Sequence, residues 1–213
     1  MGKIEVIVFD VDGTLLDTRE FISQAYEHVL QQYGLPARSR AEIASQIGKT
    51  LQECYEFLAP GGDFLLLKPA HDVFQDANLH LIRQFDSVPG TINELRRRGY
   101  QLALWTGRAH NLYDSLQAAA LNTELFEVII DPTHISRGKP DPQGLQHIAK
   151  LLDVPVSSMM MVGDAVVDII AGKRAGVAKT VGITYGFGTR EELERSGPDA
   201  LIDDFNDLLT VVI

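Results

Sequence analysis

Ile4-Glu5-Val6-Ile7-Val8-Phe9 runs directly into Asp10-Val11-Asp12-Gly13-Thr14-Leu15-Leu16-Asp17. The first stretch is apolar and rich in β-branched residues, as a central strand of a parallel sheet would be. Open α/β sheets carry their chemistry just beyond the carboxyl ends of such strands, and Asp10 stands at that end. Residues two apart on a strand point the same way, and the glycine behind them permits a sharp turn, so Asp10 and Asp12 can face one pocket. Two carboxylates so close repel. A hard cation such as Mg2+, which takes oxygen ligands and leaves room for phosphate oxygens, would neutralise them. The same residues could form a plain turn, since Asp and Gly are common there.

Outward from this junction, the chain turns helical rather than forming a second strand. Phe21, Ile22, Ala25, Tyr26, Val29, Leu30 and Tyr33 recur at helical spacing, and Gly34 followed by Pro36 gives a stop. Further helical patches are expected at Ile43 to Ile47, at Leu51 to Leu58, and over Val73, Phe74, Ala77, Leu81 and Phe85, with Gly61-Gly62 between the last two. Pro89-Gly90 marks a return point. Residues 16–86 are therefore expected to form an all-helical cap inserted into a core made of residues 1–15 and 87–213. In that core, strands expected at 101–105, 127–130, 158–162, 179–183 and 200–202 alternate with helices, which predicts an α/β, doubly wound parallel sheet. Thr91 with Glu94 and Thr189 with Glu192 fit capping boxes, and Asp141-Pro142 fits an N-cap followed by Pro at the first helical position.

The 213 residues, 45% hydrophobic, suit one core with a modest insertion, and the formal charge of −10 disfavours a nucleic-acid or anionic-membrane binder. Arg96-Arg97-Arg98 is the basic run, expected as the solvated last turn of a helix. The single cysteine, Cys54, excludes an internal disulfide and is expected to be a buried thiol. With neither a signal-like leader nor a membrane-length apolar run, a cytoplasmic setting is expected. The six histidines show no zinc-site spacing.

Asp10-Val11-Asp12-Gly13-Thr14-Leu15-Leu16-Asp17 resembles the first signature of the haloacid dehalogenase superfamily of phosphohydrolases. Companions follow in order: Leu102-Ala103-Leu104-Trp105-Thr106-Gly107, then Gly138-Lys139-Pro140-Asp141, then Met159 to Asp168 with Gly163-Asp164 inside it. The resemblance implies a Rossmann-like core, Asp10 as the nucleophile that becomes an aspartyl phosphate, and Asp12 as general acid and base. It implies Mg2+ held by the Asp10 and Asp164 carboxylates and the Asp12 carbonyl. Asp168, four residues after Asp164, joins the metal set by orienting waters or Lys139. Thr106 and the Gly107 N–H would receive phosphoryl oxygens, and Lys139 would hold Asp10 and the phosphoryl group.

Many relatives carry Asn where this chain has Gly107, so a side-chain contact is missing there and Arg108 is the residue that could compensate. Haloacid dehalogenases lack the second acid, and phosphonoacetaldehyde hydrolases place a small residue in its position, so phosphate ester hydrolysis is the expected activity. The helical cap and the tail Tyr185-Gly186-Phe187-Gly188 resemble phosphoglycolate phosphatases. Inorganic pyrophosphatases and β-phosphoglucomutases share the same core motifs. Substrate choice is expected in the cap, with Gly48-Lys49-Thr50 as the specificity loop and Lys68, Arg83 and Tyr55 as weaker candidates. A receiver-like signalling module, which also uses an acceptor aspartate, is disfavoured by the insertion and by Asp12.

Overall fold

The computed structural model describes residues 3–47 and 49–212, so Gly48 of the expected specificity loop lies outside the described residues. The first strand, β1 (Val6–Phe9), has all four side chains fully buried. Alternation sends them to two faces: Ile7 and Phe9 join one apolar cluster, Val6 and Val8 another. Burial on both faces is what an unbroken apolar strand requires.

After β1 the chain makes the short strand β2 (Leu16–Asp17) and then the helices α1 (Arg19–Gln32), α2 (Arg40–Ala44), α3 (Leu51–Leu58) and α4 (Phe64–Ala77). It returns through β3 (Arg83–Gln84), which pairs antiparallel with β2 in the register Leu16 to Gln84 and Asp17 to Arg83. The two crossings between helical segment and sheet thus form one ribbon, pinned by an Asp17–Arg83 ion pair of 2.9 Å.

The remaining chain alternates helix and strand: α5 (Val88–Arg97), β4 (Gln101–Trp105), α6 (Leu112–Ala118), β5 (Val128–Ile130), α7 (Gln143–Leu152), β6 (Met159–Gly163), α8 (Val166–Ala175), β7 (Lys179–Ile183), α9 (Arg190–Ser196), β8 (Ala200–Ile202) and α10 (Leu208–Val211). Among the described residues the main sheet is six-stranded and parallel, in the order β5-β4-β1-β6-β7-β8. β1 lies inside the sheet with β4 on one side and β6 on the other, and the chain reverses its direction of strand addition there. That reversal opens a crevice at the carboxyl ends of these three strands.

Four local expectations need correction. The α4 pattern does not run on to Leu81 and Phe85: the helix stops at Ala77, and a turn at Leu79–Leu81 leads into β3. Its buried face is Leu67, His71 and Gln75, while Val73 is exposed, so the apolar spacing there misled. Thr91 is not an N-cap, because α5 already begins at Val88 with Pro in its first turn, and the buried Thr91 hydroxyl donates to Asn206 Oδ1 at 2.7 Å. At α7 the cap position falls on Pro142, one residue later than expected, although Asp141 Oδ1 still accepts from the Gln143 N–H at 3.0 Å.

Thr189 and Glu192 do form a capping box, as do Ser39 with Glu42 and Thr50 with Glu53. Arg96 pairs with Glu127, and Arg97 and Arg98 with Glu94, so the basic run is tied into its own helix and its neighbour.

Candidate active site

Asp10 directly follows β1, and its N–H still donates to Val162 O of β6 at 2.9 Å, so the last ladder bond fixes its backbone. Thr106 follows β4 in the same way, its N–H bonded to Ile130 O at 3.0 Å. Asp164 follows β6. Parallel pairing of three buried strands therefore sets the three side chains along one edge.

Lys139 comes from the loop between β5 and α7. Its Nζ lies 2.5 Å from Asp10 Oδ1 and 2.7 Å from Asp168 Oδ1, all three side chains being deeply buried. The approach to Asp168 is a contact of charges rather than a directed hydrogen bond, and Asp168 Oδ1 has no hydrogen-bond partner. Asp168 Oδ2 instead accepts from the Ala165 N–H at 3.0 Å, at the start of α8. The Lys139 ammonium also sits 5.2 Å from the Trp105 ring centre.

Asp164 is held on both sides. Its Oδ1 accepts from the Thr14 hydroxyl at 2.9 Å and its Oδ2 from the Phe187 N–H at 2.7 Å. The Phe187 N–H reaches it because the tail Tyr185-Gly186-Phe187-Gly188 folds over the carboxylate. A Cβ at Gly186 would stand 2.2 Å from Asp164 Oδ2, and one at Gly13, where φ is +80°, 2.3 Å from the same oxygen. Arg19 fastens the tail from outside, its Nη2 donating to the carbonyls of Tyr185 and Gly186 at 2.9 and 2.7 Å. The Tyr185 hydroxyl donates to Thr14 O at 2.9 Å.

Electrostatics mark this cluster as short of positive charge. Burial pushes the Asp10 carboxyl well above its ordinary range; Lys139 opposes this, and the charges of Asp168 and Asp164 add to it. Burial likewise raises Asp164, with Asp168 adding and the bonds from Phe187 and Thr14 opposing. Burial alone would lower Lys139, but Asp10 and Asp168 beside it hold its ammonium above the usual lysine value. One lysine does not balance three acids.

Carboxylate oxygens of Asp10, Asp164 and Asp168 lie within 4.8 Å of one another. Hard oxygen donors on three converging buried acids, two of them raised by burial and mutual charge, fit a divalent cation such as Mg2+. Asp12 points elsewhere: Arg108 grips its carboxylate with two hydrogen bonds, of 3.0 Å from Nε and 2.6 Å from Nη2. The Arg108 N–H donates to Thr106 Oγ1 at 3.1 Å, which leaves the threonine hydrogen free to donate. Gly107 is exposed at the rim of this turn.

The candidates of the helical segment make local contacts of their own. Lys49 is exposed and donates to Gln46 Oε1 at 2.8 Å, Thr50 caps α3, and Lys68 pairs with Asp72. Tyr55 bonds His71 Nδ1 at 2.8 Å, and Arg83 belongs to the ribbon. Sequence reasoning missed Thr14 and Phe187 on Asp164, and Arg19 on the tail. Thr14 lies within the first signature, but a backbone N–H such as that of Phe187 leaves no trace in residue identity. Also missed is the contact of His110 and Asn111, 2.8 and 3.1 Å from Asp76 Oδ1, which joins the loop after β4 to α4.

Comparison with known proteins agrees with this arrangement. Residues 7–182 match the family model described as haloacid dehalogenase-like hydrolase. A pyrophosphatase, PpaX, of Bacillus cereus strain Q1 is 29% identical over 210 residues, covering 99% of this chain and 97% of its own. The crystal structure described as a predicted phosphoglycolate phosphatase from Haemophilus somnus 129PT superposes with a TM-score of 0.91 at 24% identity, covering all of both chains. A hydrolase from Pseudomonas syringae gives 0.83 at 25% identity, over 97% of this chain and 96% of its own. With its motifs in order, its parallel sheet and its acids gathered at one strand edge, the chain belongs to the haloacid dehalogenase-like hydrolase family.

Proposed function

We propose that this protein is a Mg2+-dependent phosphate monoester hydrolase acting on a small phosphorylated metabolite of the phosphoglycolate kind through an aspartyl-phosphate intermediate. The observation that carries the reading is Asp10, held by Lys139 among further buried acids at the open end of β1. An Asp10 oxygen attacks phosphorus and the ester oxygen departs, which divides one difficult displacement into two easier ones. Asp12 gives a proton to the departing oxygen and later takes one from the water that cleaves the acyl phosphate. Lys139 orients Asp10 and faces the phosphoryl oxygens, while the Thr106 hydroxyl and the Gly107 N–H donate to them.

Asp10, Asp164 and Asp168, with the Asp12 carbonyl, are the residues that would hold Mg2+. Bound there, the cation would screen the nucleophile from the phosphate it attacks. We read residues 16–86 as a cap over a core of residues 1–15 and 87–213, its closure excluding bulk water during transfer. Lys49 and Arg108 are the cations assigned to the substrate side. Among the described residues no helix is long and apolar enough to cross a membrane, and the cytoplasmic assignment rests on the sequence reading given above.

A second reading, inorganic pyrophosphatase, is favoured by the PpaX relatives. Phosphate release should be measured with and without Mg2+ from phosphoglycolate, hexose phosphates, nucleotides and pyrophosphate, with Asp10→Asn as the blank. The preferred substrate separates the two readings. Release should require Mg2+ and fall about 10³-fold or more in the mutant, with the fold retained. Substantial turnover by pure Asp10→Asn would remove Asp10 as nucleophile, and no release from any compound would redirect attention to phosphoryl transfer within a sugar phosphate, as in β-phosphoglucomutases. The family match gives no support to a receiver-like signalling role.

A further inference from the structure

Asp12 is engaged in this structure. Both of its carboxylate oxygens accept from one planar guanidinium fork, that of Arg108. The two side chains are 6% and 14% exposed, so the pair sits inside the site rather than on the surface. A carboxylate with both oxygens so occupied is poorly placed to pass a proton to or from a reacting oxygen. Turnover through Asp12 therefore requires that Arg108 be drawn off it.

The surroundings of Arg108 show what can draw it. Its Nη1 faces Asn111 Oδ1 at 3.2 Å and Ser115 Oγ at 3.4 Å, and its guanidinium carbon lies 5.0 Å from the Phe21 ring centre on α1. These partners are neutral and hold the group in place on its far side. Asp12 is its charged partner. Lys139, the other buried cation at this edge, is committed to Asp10 and Asp168, and Arg19 donates to the carbonyls of Tyr185 and Gly186. An arginine fork takes a carboxylate or two oxygens of a phosphate with the same geometry that it offers Asp12. The loop that carries it is also tied to α4 through Asp76, so the fork lies where the helical segment meets the sheet edge.

We propose that Arg108 selects substrates bearing a second anionic group: it holds Asp12 until that group replaces Asp12 on the fork. The inference rests on the phosphatase reading above and narrows it to small phosphate esters or anhydrides with a second oxyanion, carboxylate or phosphate. A phosphate ester with an uncharged tail leaves the fork closed on Asp12 and turns over slowly.

The test compares 2-phosphoglycolate, pyrophosphate and the uncharged-tail compound ethyl phosphate on wild type, Arg108→Gln and Arg108→Lys, in Mg2+. Wild type should favour phosphoglycolate over ethyl phosphate by about 100-fold in kcat/KM, with part of the gain in kcat because release of Asp12 acts on the chemical step. In Arg108→Gln that ratio should fall to within about threefold and kcat for ethyl phosphate should rise; Arg108→Lys, which keeps the charge but loses the fork, should lie between. A larger loss on pyrophosphate than on phosphoglycolate identifies the second anion as phosphate, and the reverse identifies it as carboxylate. A ratio unchanged in Arg108→Gln overturns the proposal, as does a wild type that handles ethyl phosphate equally well.

Binding of non-hydrolysable phosphonates to the wild type in Mg2+ gives a second measurement that needs no turnover. There phosphonoacetate should bind about tenfold more tightly than ethylphosphonate, and equal affinities overturn the selection. If wild type released phosphate from none of the three compounds, the phosphatase reading would fall by itself, and the phosphonate pair, measured on wild type and on Arg108→Gln, would still decide the role of Arg108: a preference kept in Arg108→Gln overturns the proposal.

Discussion

Both the sheet edge and the helical segment bury polar side chains, on opposite terms. At the sheet edge, three acids converge, Asp10 and Asp168 share one lysine, and burial drives Asp10 and Asp164 upward. In the helical segment, His71 is flanked by Tyr55 Oη at 2.8 Å and Gln75 Nε2 at 3.0 Å, with Tyr26 packed edge-on at 4.9 Å between ring centres. Cys54 donates to Gln46 O at 3.3 Å, and burial raises its thiol. The His71 and Cys54 groups carry no charge of their own, and the nearby Asp72 is paired with Lys68; the sheet-edge set holds three acids to one lysine. A fold tolerates the first for packing alone, whereas the second is an arrangement that fits the divalent cation proposed above.

Three substitutions test that contrast. The largest effect is expected from Lys139→Ala, which leaves Asp10 and Asp168 buried without their cation; turnover should vanish and unfolding free energy should drop by about 3 kcal/mol. Urea titrations with and without Mg2+ check it, and the loss should shrink when the metal is present. An equal loss in both conditions would break the idea that the acids lack only positive charge.

Next comes His71. Burial lowers its pKa to about 4, with Asp72 opposing and Arg108, His110 and Lys68 adding to the shift. In the unfolded chain it titrates near 6.5, so on acidification the unfolded state takes up the proton first. Its contribution is therefore whole above pH 6.5 and drains away towards pH 4, by about 3 kcal/mol. Unfolding free energies of His71→Gln should decline less over that interval, and parallel curves for the two proteins would show that His71 is not buried uncharged. The smallest effect is expected from Thr50→Ala, which removes one side of the α3 capping box: about 1 kcal/mol by urea unfolding.

Legibility in the sequence follows the same division. The sheet strands could be read because an apolar β-branched run between glycines and helical patterns admits few alternatives, and the acids could be placed because they end those runs. Arg108 on Asp12 could not be read: ninety-six positions separate the partners, and only the parallel pairing of β1 with β4 brings them together. The bond from Phe187 N–H to Asp164 was hidden for another reason, since every residue but proline offers the same donor. Within the helical segment the spacing found α1 and α3 but ran α4 too far, because Phe85 packs against the apolar cluster from beyond β3 and so mimics a helical position. Thr91 reads as a cap in the sequence because its residue type is ambiguous between capping and a buried hydroxyl with a distant partner.

The place of β1 inside the sheet also bears on how the chain folds. This strand is made first, yet its two neighbours begin only at Gln101 and Met159. Helices α1 to α4 close on one another through short loops, so they can form while β1 still waits. Until β6 is made, a wholly apolar strand lacks one neighbour and offers its backbone to any other chain nearby, a hazard during synthesis that the finished protein no longer shows. A fragment ending before Met159 would therefore be prone to aggregate and would lack Asp164 and Asp168 of the acid cluster, however well its helices had formed.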